Sequence, residues 1–208
     1  MPPSQASFRT FMPARVEFDT VSQLFMRLFD AYRDADRTAL RYKERGEGWH
    51  DITWGALESD VHALMGTLHT YGVEKGDRVV LLSENRPEWA VTDLATQCLG
   101  GATVSIYTSL PPAKIAYILR DSGAKVCVVS VPVQRKKIEA IVDECPDLQH
   151  VIVMDALPDD PPAFMTAWDE ALSAGRPVWE THADTLRTRA ASITPEDVSS
   201  LIYTSGTT

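Results

Sequence analysis

Basic residues are in short supply in this sequence. Its 208 residues include 20 Lys and Arg against 29 Asp and Glu, which gives a formal net charge of −9 at pH 7. A nucleic-acid partner is therefore excluded, because neutralising phosphates requires clustered Lys and Arg. The only basic cluster is Arg135-Lys136-Lys137, and a short run of this kind is typical of a solvated helix face.

Cysteine is scarce as well. The three cysteines, Cys98, Cys127 and Cys145, lie far apart, and none belongs to a C-x-x-C pair. An odd number without close spacing predicts no disulfide framework and favours a reducing, cytoplasmic location. Each cysteine stands among apolar residues, so we interpret all three as small core hydrophobes rather than nucleophiles.

Long apolar runs, a secretory leader and metal-ligand spacing are also missing. The longest apolar stretch, residues 126–133, is far shorter than the roughly 20 residues that a membrane-spanning helix needs. The first residues lead into no apolar segment, so we expect no signal peptide, while peripheral membrane contact stays open. His62 and His69 are two helical turns apart, too far to share one metal ion easily.

Several motifs that commonly mark nucleotide or catalytic sites do not occur. The sequence contains no G-x-G-x-x-G, no G-x-x-x-x-G-K-[ST], no H-E-x-x-H and no G-x-S-x-G. Internal repeats and low-complexity tracts are absent too. Any catalytic or binding signal must therefore come from other residues.

The composition that is present is that of an ordinary globular protein. Hydrophobic residues make up 44% of the chain and charged residues 24%, enough for one substantial α/β domain or two small subdomains sharing a core. We interpret residues 1–18 as an N-terminal arm and residues 19–208 as the folded part. A helix is predicted at 21–34, followed by a hairpin with strands at 39–43 and 49–53.

A regular alternation of helices and strands then begins. Thr53 is predicted to cap a helix that reaches Tyr71, with Gly72 as its left-handed stop. The predicted strands are residues 78–82, 103–107, 126–130 and 150–154, and the helices between them are residues 87–99, 111–122 and 133–144. Continuous apolar strands are typical of a parallel sheet covered on both faces. The fold class is therefore α/β, a layered, doubly wound, mainly parallel sheet with flanking helices.

The pattern changes after residue 154. Residues 155–163 contain three prolines and three aspartates, which predicts a loop. A short helix is predicted at 164–173, and the polar stretch 175–191 is interpreted as irregular. A capped helical turn at 194–197 then leads into an apolar strand at 198–203.

The end of the sequence is its most informative segment. The last predicted strand runs into Thr204, Ser205, Gly206, Thr207 and Thr208, which are all Gly, Ser or Thr. Small side chains let the backbone approach a ligand closely, and Gly206 permits angles that turn N–H groups inward. Hydroxyl groups can donate to phosphate oxygens and help to hold Mg2+. Such a loop suits a polyphosphate, although the same composition is typical of an ordinary turn.

The segment 203–208, Tyr-Thr-Ser-Gly-Thr-Thr, resembles the opening of the phosphate-binding signature of adenylate-forming enzymes. This superfamily includes acyl-CoA synthetases, luciferases and the adenylation domains of peptide synthetases. Residues 72–79 are similar to the family's lead into its first sheet strand. Residues 83–89, 106–108 and 115–125 resemble its long-chain acyl-CoA synthetase branch. The family signature continues with Gly-x-Pro-Lys-Gly, and the sequence stops before that part.

Ordinary structural roles account for several of these matches. Gly76-Asp77 is interpreted as a turn before a strand, Trp89 as a packing residue and Asp121-Ser122-Gly123 as a helix stop. Only the terminal loop is therefore expected to touch substrate.

The resemblance implies the N-terminal part of the adenylate-forming fold, truncated within the phosphate-binding loop. It implies that the whole enzyme joins a carboxylic acid, a long-chain fatty acid by the branch resemblance, to the α-phosphate of ATP and then passes the acyl group to CoA. Fatty acid, ATP and CoA would be the small-molecule partners, with ATP, Mg2+ and CoA as cofactors. Residues 204–208 would bind the ATP phosphates, and the Thr204 hydroxyl would assist Mg2+. No catalytic residue is expected within this sequence, so the 208-residue chain alone is expected to be inactive.

Two other interpretations stay open at this point. The acid pocket normally comes from later sequence, so an aryl or short-chain acid-CoA ligase is the alternative within the same superfamily. A truncated, noncatalytic α/β module is the alternative from outside enzymology. Oligomeric state, including a homodimer, is not determined by the sequence.

Overall fold

The computed structural model of the chain describes residues 17–43, 46 and 48–204. Its helices and strands in chain order are α1 (Val21–Tyr32), β1 (Thr38–Lys43), β2 (Trp49–Thr53), α2 (Trp54–Thr70), β3 (Arg78–Leu82), α3 (Pro87–Cys98), β4 (Ala102–Ser105), α4 (Pro112–Ser122), β5 (Val126–Val129), α5 (Pro132–Glu139), β6 (His150–Val153), β7 (Met165–Ala167), α6 (Trp168–Ala191) and β8 (Ser200–Ile202). The predicted N-terminal arm, residues 1–18, lies outside the described residues except for its last two.

The hairpin and the start of α2 form as the sequence predicts. Strands β1 and β2 pair in antiparallel fashion. The Thr53 hydroxyl accepts a hydrogen bond from the Ala56 N–H at 3.2 Å, which satisfies one of the free donors at the N-terminus of α2. After the helix, Gly72 adopts the predicted left-handed conformation with φ of 72°.

Six parallel strands form the central sheet, in the order β7-β6-β5-β3-β4-β8. From β3 the chain passes through α3 to β4 on one side, and it returns through α4 to β5 on the other side of β3. The direction of winding thus reverses at β3, which confirms the prediction of a doubly wound parallel sheet.

Side chains of each central strand alternate between two cores. Val79 and Leu81 of β3 pack with α1, α2, α3 and α6, whereas Val80 and Leu82 pack with α4 and α5. All four side chains are fully buried. The continuous apolar run of this strand therefore follows from the coverage of both sheet faces.

The prediction for residues 164–191 is right only at 168–173, where a helix is present. Instead of a short helix at 164–173 and an irregular stretch at 175–191, the chain forms β7 and then α6, a single helix of 24 residues. Gly175 and Pro177 interrupt the helical pattern in the sequence, because both residues normally disfavour a helix interior. Packing against α2 compensates for them, since the carbonyl of Ala171 accepts a hydrogen bond from the Thr67 hydroxyl of α2.

Three further predictions need correction. The capped helical turn at 194–197 is a turn without a helix, closed by the Asp197 carboxylate, which accepts from the Thr194 N–H at 2.8 Å. The predicted helix 133–144 ends at Glu139, and a separate 3-10 turn, Val142–Glu144, follows it. The last strand is also shorter than predicted, so Tyr203 lies just outside it.

Candidate functional site

The predicted loop begins at the carboxyl edge of the parallel sheet. Strand β8 lies beside β4, with Ile202 opposite Ser105, so both strands end at the same edge. Ligands of open, doubly wound α/β sheets bind at this edge, outside the carboxyl ends of the strands. The position of β8 therefore agrees with a ligand-binding role for the residues that follow it.

Of the five predicted phosphate-binding residues, Thr204 is the one that the structure describes. Thr204 is exposed to solvent, and its hydroxyl makes no hydrogen bond to any other described residue. An exposed hydroxyl at a strand end can donate to a phosphate oxygen or ligate Mg2+. Ser205, Gly206, Thr207 and Thr208 lie outside the described residues.

The side chain of the residue before Thr204 contacts helix α4. The Tyr203 hydroxyl donates a hydrogen bond to Asp121 Oδ2 at 2.6 Å. The Tyr203 ring meets the Tyr117 ring edge-on, with a centroid distance of 6.5 Å. Burial, together with the Asp121 carboxylate, raises the pKa of Tyr203 to about 12, so the hydroxyl keeps its proton at physiological pH.

The loop after β4 lies next to this strand end and is held by a lysine. Lys137 Nζ donates to the carbonyl oxygens of Thr108 at 2.6 Å and Leu110 at 3.1 Å. Within the basic run 135–137, Arg135 is 8% exposed and bonded to Glu139, and Lys136 alone is exposed. The prediction of a solvated helix face is therefore wrong for Arg135 and incomplete for Lys137.

Sequence reasoning missed a polar cluster at the ends of β3 and β5. The Glu84 carboxylate accepts hydrogen bonds from the Ser130 hydroxyl and from Gln134 Nε2. Burial works against ionisation of Glu84, but the hydrogen bonds from Ser130, its own backbone and Gln134 outweigh it and lower the pKa of this carboxyl. The available signal was a polar residue within two positions of the end of each of these apolar strands.

A second part of this cluster joins β3 to β6. The Arg86 guanidinium bonds both Glu88 oxygens and reaches Asp155 Oδ1 at 2.9 Å. These ion pairs tie the start of α3 to the loop after β6. One guanidinium thus bridges two carboxylates, and these ion pairs fix the geometry of the two loops at the sheet edge.

The described part of the chain offers little support for a metal site, a cysteine nucleophile or a membrane-spanning helix. No group of three or more His, Cys, Asp or Glu residues there could hold a metal ion. All three cysteines are buried, and burial raises the pKa of Cys98 to about 12, which makes a poor nucleophile. Among the described residues, no helix combines the length and the apolar character that crossing a membrane requires.

Comparison with known proteins shows which family the chain belongs to. The chain matches the family model of AMP-binding enzymes over residues 29–208. It is 30% identical to the long-chain-fatty-acid–CoA ligase FadD15 of Mycobacterium bovis over 193 residues, covering 92% of this chain and 30% of that protein. It is also 30% identical to the long-chain-fatty-acid–CoA ligase ACSBG1 of Rattus norvegicus over 189 residues, covering 91% of this chain and 25% of that protein.

A solved structure shows the same similarity in three dimensions. The crystal structure of the anthranilate CoA ligase AuaEII in complex with anthranoyl-AMP matches with a TM-score of 0.74 and 27% sequence identity. The match covers 90% of this chain and 32% of that one. The chain therefore belongs to the AMP-binding enzyme family, and the resemblance to the N-terminal part of adenylate-forming enzymes is confirmed. It spans between a quarter and a third of the length of the relatives it matches.

Proposed function

We propose that this chain is the N-terminal part of an ATP-dependent acid-CoA ligase whose ATP phosphates bind at residues 204–208. The observation that carries the proposal is the position of β8, which delivers Thr204 to the carboxyl edge of the sheet. A Ser/Thr/Gly loop at this edge offers hydroxyl and N–H donors to phosphate oxygens. Membership of the AMP-binding enzyme family supports ATP as the nucleotide.

In the proposed reaction, a carboxylate oxygen attacks the α-phosphorus of ATP and the bond to pyrophosphate breaks. The acyl-adenylate then reacts with the CoA thiol, forming the thioester and releasing AMP. Residues 204–208 would hold the β- and γ-phosphates and offset the charge on the departing pyrophosphate. Thr204 would supply one hydroxyl oxygen as a ligand for Mg2+, which would help to neutralise the phosphate charge.

A long-chain fatty acid is the proposed substrate, because the two relatives above are named as ligases for such acids. The second candidate is an aryl acid, which the similarity to the anthranilate CoA ligase favours. ATP–pyrophosphate exchange by the full-length protein distinguishes the two. We expect hexadecanoate to support exchange and anthranilate to support little. Exchange with anthranilate alone would move the proposal to the aryl class, and exchange with neither acid would contradict both.

The phosphate-binding role of the loop has its own test in the full-length protein. We expect Thr204→Ala and Thr207→Ala each to slow acid-dependent exchange by about ten- to a hundredfold. This corresponds to roughly 1.5–3 kcal/mol for a lost hydrogen bond to a charged group in the transition state. The melting temperature should not change, because the Thr204 hydroxyl makes no hydrogen bond to any other described residue.

Thr53→Ala is the matched control for this measurement. Its hydroxyl caps α2, and the loss of an N-cap costs about 1 kcal/mol of stability. The control should therefore lower the melting temperature and leave exchange unaltered. If the loop variants behave like this control, residues 204–208 are an ordinary turn and the phosphate-binding proposal fails.

A further inference from the structure

The backbone alone gives the proposed phosphate-binding loop little support where it leaves the sheet. Strand β8 has three residues and is the outermost strand on its side of the described sheet, next to β4. An edge strand this short is held by few ladder hydrogen bonds and is prone to fraying. Some additional contact must therefore fix the direction in which the chain continues beyond Ile202.

The Tyr203 side chain provides such a contact. Its ring packs against the core beneath α4 and α5, edge-on to Tyr117, and its hydroxyl donates to Asp121. Tyr117 and Asp121 are four residues apart on α4, so they lie on the same face of the helix. The ring consequently lies along α4 and ends in a 2.6 Å hydrogen bond to the Asp121 side chain.

The acceptor is itself held firmly. Asp121 lies in the last turn of α4, directly before Ser122 and Gly123. The Arg78 guanidinium, at the start of β3, donates to the carbonyl oxygens of both Ser122 and Gly123. The end of α4 is therefore fastened to the central strand of the sheet, which makes it a rigid support for Tyr203.

The location of Asp121 is unfavourable for the helix alone. A carboxylate in the last turn of a helix opposes the helix dipole, where Lys, Arg or His would be stabilising. Among the described residues, the hydrogen bond that the Asp121 side chain accepts comes from Tyr203. The stability of α4 therefore does not explain an acid at position 121. The hydrogen bond from Tyr203 does explain it.

We propose that Tyr203 and Asp121 form a positioning pair that fixes the backbone where the chain enters the loop proposed to bind the β- and γ-phosphates of ATP. This inference rests on the proposed function of that loop. Neither residue touches the reacting atoms. They act by restricting the backbone at the residue immediately before Thr204, so that the chain leaves β8 in a fixed direction before ATP arrives.

The test uses Tyr203→Phe, Asp121→Ala and the double variant in the full-length protein. Each should raise the KM for MgATP in exchange by about five- to twentyfold with a smaller change in kcat. The double variant should be no worse than the more affected single variant, because both changes break the same hydrogen bond. Asp121→Asn keeps an acceptor oxygen and should recover part of the loss.

Two controls separate positioning from general damage. Thioester formation from preformed acyl-adenylate and CoA involves no β- or γ-phosphate, so its rate should stay within about twofold of wild type. Glu144→Gln removes an exposed ion pair between Glu144 and Arg120, a residue of α4. It should change neither ATP–pyrophosphate exchange nor thioester formation. An unchanged KM for MgATP in both single variants, or an equal fall in thioester formation, would overturn the positioning role.

The Kd for MgATP, measured by titration, tests the positioning role separately from the proposed ligase activity. If wild-type protein shows no exchange with any acid, the ligase proposal fails. The Kd for MgATP then decides the positioning role, because weaker binding by Tyr203→Phe and Asp121→Ala supports it and equal binding contradicts it. A wild-type protein that neither binds MgATP nor catalyses exchange would overturn both proposals.

Discussion

A buried acid and a buried histidine lie beneath two arginines at the junction of α1, α2 and α6. Glu58 Oε1 is 3.1 Å from Arg33 and 3.6 Å from Arg187, while burial raises its pKa despite these cations. His62 lies 3.8 Å from the same oxygen and stacks on Trp179 at 3.6 Å. Burial, reinforced by both arginines, lowers the pKa of His62 to about 3. The imidazole is therefore neutral at pH 7, and its contact with Glu58 is not an ion pair.

The depressed pKa of His62 predicts a loss of stability in mild acid. Because the folded state disfavours the charged imidazole, its contribution is complete above the unfolded pKa of 6.5 and is lost as pH falls toward about 3. Between pH 6.5 and pH 5 this should cost about 1–2 kcal/mol of unfolding free energy. Urea unfolding at these two pH values should show a smaller acid loss in His62→Gln than in wild type.

His182→Gln is the control for this pH effect. His182 is exposed on α6, and its replacement should change the acid loss far less than His62→Gln does. An equal acid loss in wild type and His62→Gln would show that the buried imidazole does not disfavour protonation.

At the scale of elements, helices α2 and α6 approach each other more closely than ordinary side chains allow. A Cβ added at Gly175 would lie 1.8 Å from the Ala63 carbonyl oxygen and 2.5 Å from Thr67 Oγ1. A Cβ added at Gly66 would lie 2.2 Å from the Gly175 carbonyl oxygen. Two glycines thus permit backbone contact between the helices, and Trp168, Leu172 and Leu186 of α6 then reach the core.

Gly175→Ala should consequently destabilise the protein. Overpacking of this kind costs about 1–3 kcal/mol or more, and the better helix propensity of alanine recovers only up to about 1 kcal/mol. Urea denaturation gives the change in unfolding free energy directly. Gly48→Ala is the matched control, since an added Cβ there meets nothing within 4 Å. Unaltered stability in Gly175→Ala would mean that the helices separate without cost.

The same helices show what the sequence could and could not predict about the fold. Strands such as β3 were predictable because burial on both faces leaves a continuous apolar run. Helix α6 was not, because Gly175 and Pro177 indicate a break when the partner helix is unknown. Strand β7, with three residues, is too short to show a period. Local pattern therefore predicts elements that carry their own signal and misses those that depend on tertiary contact.

At the scale of the whole molecule, one part of the candidate site was predictable from the sequence and another part was not. The loop 204–208 was predictable from its Ser/Thr/Gly composition and its resemblance to a known signature. The contact between Tyr203 and Asp121 joins residues 82 apart in sequence, so only the topology of the sheet brings them together. Likewise, the polar cluster around Glu84 depends on β3 and β5 being neighbours.

The last prediction concerns the 208-residue chain by itself. The chain corresponds to about 30% of the ligase FadD15 of Mycobacterium bovis, and within its described part Thr204 is the one residue of the proposed phosphate-binding loop. We therefore expect the purified chain to give no ATP–pyrophosphate exchange with hexadecanoate or anthranilate, because a few hydroxyl donors cannot supply the positioning and charge stabilisation that adenylation requires. Exchange by the full-length protein under the same conditions is the positive control, and circular dichroism checks that the shorter chain is folded. Acid-dependent exchange above background by a folded 208-residue chain would show that adenylation needs fewer residues than the family resemblance implies.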